Sequence, residues 1–445
     1  MKTFNIGGVH PHDNKQYSAH KPIEQVPIPE KVVIPLVQHI GAPAKPVVAK
    51  GDRVLGGQLI AEASGFVSAN IHSPVSGTVT KVDSIVDAWG MRVPAIYIDV
   101  DGDRWLPEID RTETVNPICK LESQQIIEKI KQAGIVGLGG ACFPTHVKLM
   151  PPPGKKAEVL IINGVECEPY LTCDHQLMLE HSEEIIIGIQ LLMKALGVSK
   201  AIIGIERNKP DAIAKMQQLA AHTLGVTVEP LELKYPQGGE KQLIDACIGK
   251  QVPSGGLPID VGAVVDNVAT VYAVYQAVQK NQPLISRVVT VTGKQAARPG
   301  NYLVRFGTPL SVLINFAGGV PEHTGKIIGG GPMMGRAMCN IDMPCNKRVS
   351  GVLLIDEDEA LKHEPLNCIR CGKCMKACPM GLEPYLLAKQ AEHGLYDDLE
   401  KRHVMDCIDC GCCVFTCPSY RPLLDYIRLG KAEVGARIRA RQQKK

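Results

Sequence analysis

The 445-residue chain has no uninterrupted apolar stretch of about 18 residues, the length a bilayer-spanning helix requires. Its most apolar segment, 184–198, is broken by Gln190 and Lys194 and reads as a core helix. A surplus of one charge is also missing: 49 Lys and Arg face 46 Asp and Glu, a net +3, which argues against a dedicated nucleic-acid binder. The opening Met1-Lys-Thr-Phe-Asn-Ile-Gly-Gly8 lacks the apolar region of an export signal, so any membrane role is expected to be peripheral. No low-complexity run occurs. With 45% apolar and 21% charged residues, the composition excludes a disordered tail, a coiled coil and a collagen-like chain, and leaves core enough for about three domains.

What is abundant is cysteine. Sixteen cysteines without an export signal point to metal or redox chemistry rather than disulfides. Eight form two matched runs, Cys368-Ile-Arg-Cys371-Gly-Lys-Cys374-Met-Lys-Ala-Cys378-Pro379 and Cys407-Ile-Asp-Cys410-Gly-Cys-Cys413-Val-Phe-Thr-Cys417-Pro418. Both follow the bacterial ferredoxin spacing, in which three close thiolates wrap one cubane and the fourth reaches the other. The expected ligands are Cys368, Cys371, Cys374 and Cys417 for one [4Fe–4S] cluster, and Cys407, Cys410, Cys413 and Cys378 for the second. A pair of Cys₄ zinc sites is the alternative, disfavoured by four evenly spaced cysteines followed by proline, twice over. Cys412 lies off the ligand spacing and reads as a bystander.

Elsewhere the pattern is β-rich, then alternating, then β-rich again. Residues 1–112 carry short apolar bursts punctuated by Gly-Asp and Ser-Gly turns, notably 47–61 and 71–82, and read as a small barrel-sandwich hybrid. The pattern resembles a lipoyl/biotinyl hammerhead, but its intervening segment 62–70 has no lysine to carry a swinging arm; subunit docking is the role expected of it. In 113–285, candidate strands 159–162, 200–205 and 226–233 alternate with helical patterns over 175–196 and 210–224, which predicts a three-layer Rossmann-like α/β domain with a mostly parallel sheet. Its ligands belong at the C-terminal ends of the strands. Residues 286–345 read as a compact ββαβ module of the β-grasp kind, 355–425 as a helical two-cluster domain, and 426–445 as a basic tail. That tail, with Arg437, Arg439, Arg441, Lys444 and Lys445, is expected to be a solvated, frayed end, contact with anionic head groups or a partner being the alternative.

Two further constellations carry chemistry. Gly134-Ile-Val-Gly137-Leu-Gly139-Gly140-Ala-Cys142-Phe143-Pro-Thr-His-Val-Lys148 packs glycines ahead of a helix, an arrangement that lets backbone N–H groups approach a phosphate; a tight turn is the plainer reading. After the strand at 159–162, Asn163-Gly-Val-Glu166-Cys-Glu168-Pro-Tyr170-Leu-Thr-Cys-Asp174 places an amide and three carboxylates where a ribose or a flavin edge would sit; a solvated acidic loop is the plainer reading. Gly238-Gly239-Glu240 and Asp266-Asn267 add polar groups at element boundaries.

The order GLGGACFPT, NGVECEP, GGE, DNV, grasp module, cluster cysteines resembles the flavin-bearing, NADH-oxidising subunit of respiratory complex I. That resemblance implies FMN beside Gly137, Gly139, Gly140 and Lys148, with Asn163, Glu240 and Asn267 along the flavin. It implies NADH near Phe143, Glu166 and Glu168. Over residues 4 to about 425 the chain is more similar still to the C-subunit family of the Rnf complex, a membrane-bound ferredoxin:NAD oxidoreductase (SLBB is that family's term for the grasp module). The opening Phe4-Asn-Ile-Gly-Gly-Val-His-Pro, the armless hammerhead and the two-cluster end carry that likeness. It implies hydride exchange between NAD(H) and FMN and single-electron relay through two clusters. The partners implied are the other Rnf subunits and, indirectly, ferredoxin, at the cytoplasmic face of the inner membrane, where other subunits move Na⁺ or H⁺. A microcompartment-type cobalamin reductase with the same layout, or an electron-relay scaffold lacking NAD activity, are the alternatives.

Overall fold

The computed structural model describes residues 1–361 and 363–443. The N-terminal region builds two small facing sheets. One is antiparallel, in the order Lys31–Pro35, Arg92–Gly102, Ser76–Val86, Arg53–Val54; the other joins Lys45–Pro46, Leu59–Glu62 and Ile71–His72. Alternate residues, among them Val32, Ile34, Ile60, Val79, Ile96 and Ile98, fill the space between them, as period-two patterning requires. The loop that would bear a swinging arm is closed on itself by Ala63 N–H to Asn70 Oδ1 (3.0 Å), and the Asn70 amide donates to the Gln132 carbonyl (3.1 Å). This loop is a joint to the next domain.

That domain holds four parallel strands in the order Val226–Leu231, Ala201–Glu206, Val159–Asn163, Ala263–Asn267. Every residue of 201–206 and 263–267 is buried, the near-continuous apolar signature of parallel strands covered on both faces. Leu160 and Ile162 pack into a core with Ile185, Ile189, Val271 and Val274, whereas Val159 and Ile161 face Leu243, Ile244 and Cys247 on the opposite side. The helix expected over 175–196 is two, Cys173–Glu180 and Ser182–Leu196, because His181 leaves helical geometry between them.

The grasp module forms a six-stranded sheet in the order Ile23–Gln25, Gly300–Arg305, Ser286–Thr292, Gly351–Asp356, Thr324–Gly329, Arg336–Ala337. Two of these strands lie outside 286–345, and one of them, Gly351–Asp356, is central and runs parallel to 286–292. The helix Leu310–Phe316 falls where the sequence puts it.

From Lys373 to Gln443 the chain is mainly helical, with a core of Leu387, Ala391, Leu399, Leu423, Ile427 and Val434. The tail corrects the expectation of a frayed end. Leu423–Gln443 is one helix whose apolar stripe, Leu423, Ile427, Val434 and Ile438, packs on Pro384–Glu392 and Tyr396–Lys401. Arg437 pairs with Asp397 (3.4 Å) and Glu433 (3.1 Å), so basic residues read as tail charge are helix-surface partners. Lys444 and Lys445 lie outside the described residues. No helix is long and apolar enough to cross a membrane among the described residues.

Candidate cofactor sites

From Val159–Asn163 the chain builds outward through 201–206 to 226–231, then returns to lay 263–267 on the other side of 159–163. Order reverses there, so a crevice opens between the C-terminal ends of these two strands, the place where open α/β sheets bind ligands. Asn163 and Asn267 end the two strands as direct register partners. Asn267 caps the helix Val268–Gln279, its Oδ1 accepting from Ala269 N–H (2.9 Å), while its amide donates to Asp174 (2.6 Å). Asn163 donates to the Gly238 carbonyl (2.8 Å) and accepts from Val165 N–H (3.2 Å), which sets the Gly238-Gly239 turn ahead of Glu240.

The glycine loop hangs over this crevice. Gly137 N–H donates to the Phe143 carbonyl (2.9 Å), and Leu138 N–H donates to Thr270 Oγ1 (2.8 Å) in the first turn of the capped helix. A Cβ at Gly139 would lie 2.9 Å from the Asn267 side chain, whereas one at Gly140 would meet nothing within 4 Å. Gly140 therefore borders open space. Cys142, where glycine would be expected, adopts φ +54 and buries its thiol against the Lys347 carbonyl (3.3 Å). Phe143 is half-buried beside it.

Lys148 reaches in from the short helix Thr145–Lys148 to the Val265 carbonyl (2.7 Å) and Glu240 (3.2 Å). Burial pulls its pKa down, but Glu240 and Asp266 prevail and hold it above its ordinary value, so Lys148 stays cationic. Burial pushes Asp266 up to about 6, and neither of its oxygens has a hydrogen-bond partner among the described residues. A fixed cation, an unpartnered carboxylate and an open glycine cradle suit a phosphorylated, hydroxyl-bearing ligand such as FMN.

The two loop glutamates differ. Glu166, at φ +48, turns inward: its carboxylate accepts from Asp174 N–H (2.7 Å) and His175 N–H (3.3 Å) and lies 3.8 Å from Lys15. It holds the start of a helix. Glu168 instead accepts from Met333 N–H (3.1 Å) and Met334 N–H (2.8 Å) of the grasp module, and Tyr235 Oη stands 3.4 Å away. Burial raises its pKa to about 7. Asp174, the third carboxylate of that loop, is also raised to about 7 by burial with Glu166 nearby. Tyr235 and Thr270 are residues to which the sequence pattern assigns no role; neither lies in a motif, and only the fold brings them in. Asp266 stands in a motif but reads there as a cap.

Among the cluster cysteines, Cys407, Cys410 and Cys413 line one cavity together with Cys378, the fourth cysteine of the other run. Leu382 N–H points at Cys378 Sγ (3.4 Å), a donor suited to a thiolate. Cys374 and Cys417 are half-buried, and burial, with a smaller contribution from charge on Cys417, raises the Cys374 pKa; Cys368 and Cys371 are exposed. Three cysteines of one run and the fourth of the other line this cavity, an all-thiol donor set that suits an iron–sulfur cluster. Cys412 is fully buried on the wall of the cavity, its thiol 3.9 Å from the Tyr235 carbonyl.

Comparison with known proteins finds four family models along the chain: an RnfC barrel sandwich hybrid domain over 2–103, the Nuo51 FMN-binding domain over 130–276, an SLBB domain over 288–337 and a 4Fe–4S dicluster domain over 360–418. The C-subunit of the proton-translocating ferredoxin:NAD(+) oxidoreductase complex of Clostridium ljungdahlii is 49% identical over 97% of this chain and 94% of that one. The chain belongs to the C-subunit family of the Rnf complex. The counterpart in the Na(+)-translocating complex of Acetobacterium woodii is 44% identical over 97% of both chains. The C-subunit of the ion-translocating oxidoreductase complex of Rhodobacter capsulatus is 43% identical over 90% of this chain and 77% of its own length.

Proposed function

We propose that this chain is the peripheral electron-input or output subunit of an Rnf complex, exchanging electrons with NAD(H) at the crevice and relaying them singly through its two cluster sites. It would sit on the cytoplasmic face of the membrane, with other subunits carrying the path to ferredoxin and coupling it to Na⁺ or H⁺. When bound, FMN supplies the ability to take up two electrons together and release them singly, and the clusters the ability to carry one at a time.

The chain's own residues supply position and charge. Lys148 and the N–H groups of Gly139 and Gly140 receive the phosphate and ribityl side on a loop that Gly137 shapes, Asn163, Asn267 and Glu240 line the flavin, and Phe143 with Glu168 borders the nicotinamide side. Glu166 acts one step back, fixing the helix that presents Asp174. No side chain needs to be a general acid or base. One observation carries this reading: Glu168, on the loop that follows Asn163, stands 3.4 Å from Tyr235 Oη, which donates to the Cys410 carbonyl (2.9 Å), so the loop at the strand end touches the wall of a cluster cavity. Anaerobic reconstitution with iron, sulfide and FMN, followed by NADH titration, tests it. Flavin bleaching and cluster EPR signals should both develop without a partner protein. Flavin that stays oxidised under excess NADH refutes NAD exchange and leaves a relay scaffold.

A further inference from the structure

Away from the crevice, three side chains from distant parts of the sequence converge. His175 Nε2 lies 2.8 Å from Asp211 Oδ1, and His20 Nδ1 lies 3.3 Å from the other oxygen, Oδ2; one donor atom from each residue lies within 4.8 Å of those of the other two. The two imidazoles meet edge to face, centroids 5.5 Å apart. His175 is buried, Asp211 half-buried and His20 exposed, so the group is open to water on one side.

Each member is held in place by other contacts. His175 N–H donates to Glu166, and Asp211 accepts from Ala212 N–H (2.8 Å) at the start of the helix Pro210–Ala220. The strap carrying His20 is fastened by Tyr170 N–H to the Asp13 carbonyl (2.7 Å) and by Ser18 Oγ to Thr172 Oγ1 (2.8 Å). His20 itself sits at φ +59, a conformation that disfavours a side chain and that glycine would adopt freely.

We propose that His20, His175 and Asp211 bind one divalent ion of the zinc class, with water as fourth ligand, fastening the N-terminal strap to the helices Cys173–Glu180 and Pro210–Ala220. Two imidazoles and a carboxylate are the borderline donors such an ion selects, and three protein ligands with one open position form a familiar zinc arrangement. Ligands about 2.0–2.1 Å from a tetrahedral zinc stand about 3.3 Å apart. The three residues bring one donor atom each within 4.8 Å of one another, and the exposed His20 ring is free to close the remaining distance. The ion would stand close to Glu166, which accepts from the His175 backbone N–H. The assignment is independent of flavin and cluster chemistry.

The test uses holoprotein reconstituted anaerobically to full iron and flavin content, so that the cluster cysteines are occupied, dialysed against buffered micromolar Zn²⁺. One zinc per chain should remain, and zinc-edge X-ray absorption should show nitrogen and oxygen neighbours only. His20→Ala, a change at an exposed side chain, and Asp211→Asn should each weaken zinc retention at least tenfold with iron and flavin unchanged. Zinc should also slow amide exchange across 13–20. No retained zinc, sulfur among its neighbours, or equal retention by His20→Ala would overturn the site.

Discussion

The glycine cradle offers a prediction that separates a ligand site from a mere tight turn. A methyl group added at Gly139 falls 2.9–3.0 Å from Cβ, Cγ and Nδ2 of Asn267, closer than real Cβ contacts come. Asn267 cannot step aside freely, because its Oδ1 caps the following helix and its amide is tied to Asp174. Displacing such a cap costs about 0.5–2 kcal/mol, which in a domain of this size is a fall of about 2–8 °C in melting temperature. Gly140→Ala adds the same methyl to open space and takes no positive φ, so the protein without flavin should melt within a degree or so of wild type. If the open space is where the cofactor's phosphate side lies, Gly140→Ala nevertheless weakens FMN binding by about tenfold or more, equivalent to about 1.4 kcal/mol. Differential scanning fluorimetry of flavin-free protein and fluorescence-quenching titration with FMN give the two numbers. Gly140→Ala that binds FMN as tightly as wild type would show that the loop is only a turn and refute the placement.

Three other outcomes follow from the same geometry. Cys378→Ala should remove the EPR signal of the cluster assigned to Cys407, Cys410 and Cys413, and lower iron from about eight to about four atoms per chain; loss of the other cluster instead would reverse the crossed ligation. Burial raises the pKa of Glu168 and Asp174 to about 7, and of Asp266 and Glu206 to about 6. The folded chain thus keeps protons that the unfolded chain has already lost, so stability falls as pH climbs from about 4.5 through 7; Glu168→Gln should flatten that fall by about 1–3 kcal/mol, measured as unfolding midpoints at pH 5.5 and 8. Val434→Ala, which empties a fully buried position between the C-terminal helix and the cluster domain, should cost about 1–3 kcal/mol and hasten iron loss on mild heating; an unchanged rate would mean that this helix does not support the domain.

The sequence displays the parallel sheet plainly because each strand is a short continuous apolar run ending at a polar residue, and the cluster cysteines because their spacing is covalent arithmetic. Elsewhere the decisive information is not local. The strand Gly351–Asp356 lies beyond the segment read as the grasp module, and nothing in its composition says that it inserts at the sheet centre. The tail misleads because positive charge dominates its composition, whereas its fate is set by four apolar residues at helical spacing. Gly7 and Gly8 are, in the sequence, only marks of resemblance. In the fold, Gly7 has φ +64, a Cβ there would lie 2.4 Å from the Cys378 carbonyl, and Gly8 N–H donates to the Ala377 carbonyl (3.0 Å). An N-terminal glycine pair is therefore explained by a cluster cysteine about 370 residues away, a relation visible only once the chain has closed on itself.

That closure bears on the order in which electrons would pass. The cavity of Cys407, Cys410, Cys413 and Cys378 is walled by three parts of the molecule: Tyr235 donates to the Cys410 carbonyl, Gly411 leaves no room for a Cβ beside the Met333 carbonyl (2.7 Å), and the Gly7–Gly8 segment covers Cys378. Tyr235 and Met333 both also touch Glu168 at the nucleotide end. The first run is the opposite case: Cys368 and Cys371 are exposed, with Ile369 and Phe415 exposed nearby in sequence to the two runs. Iron–sulfur potentials depend on solvent exposure and on hydrogen bonds to sulfur, and a carrier that hands electrons to another protein must be approachable. On the proposed reading, then, the sealed site exchanges with the flavin and the open one with the rest of the complex, and crossed ligation through Cys378 and Cys417 keeps the two close enough for single electrons to pass between them.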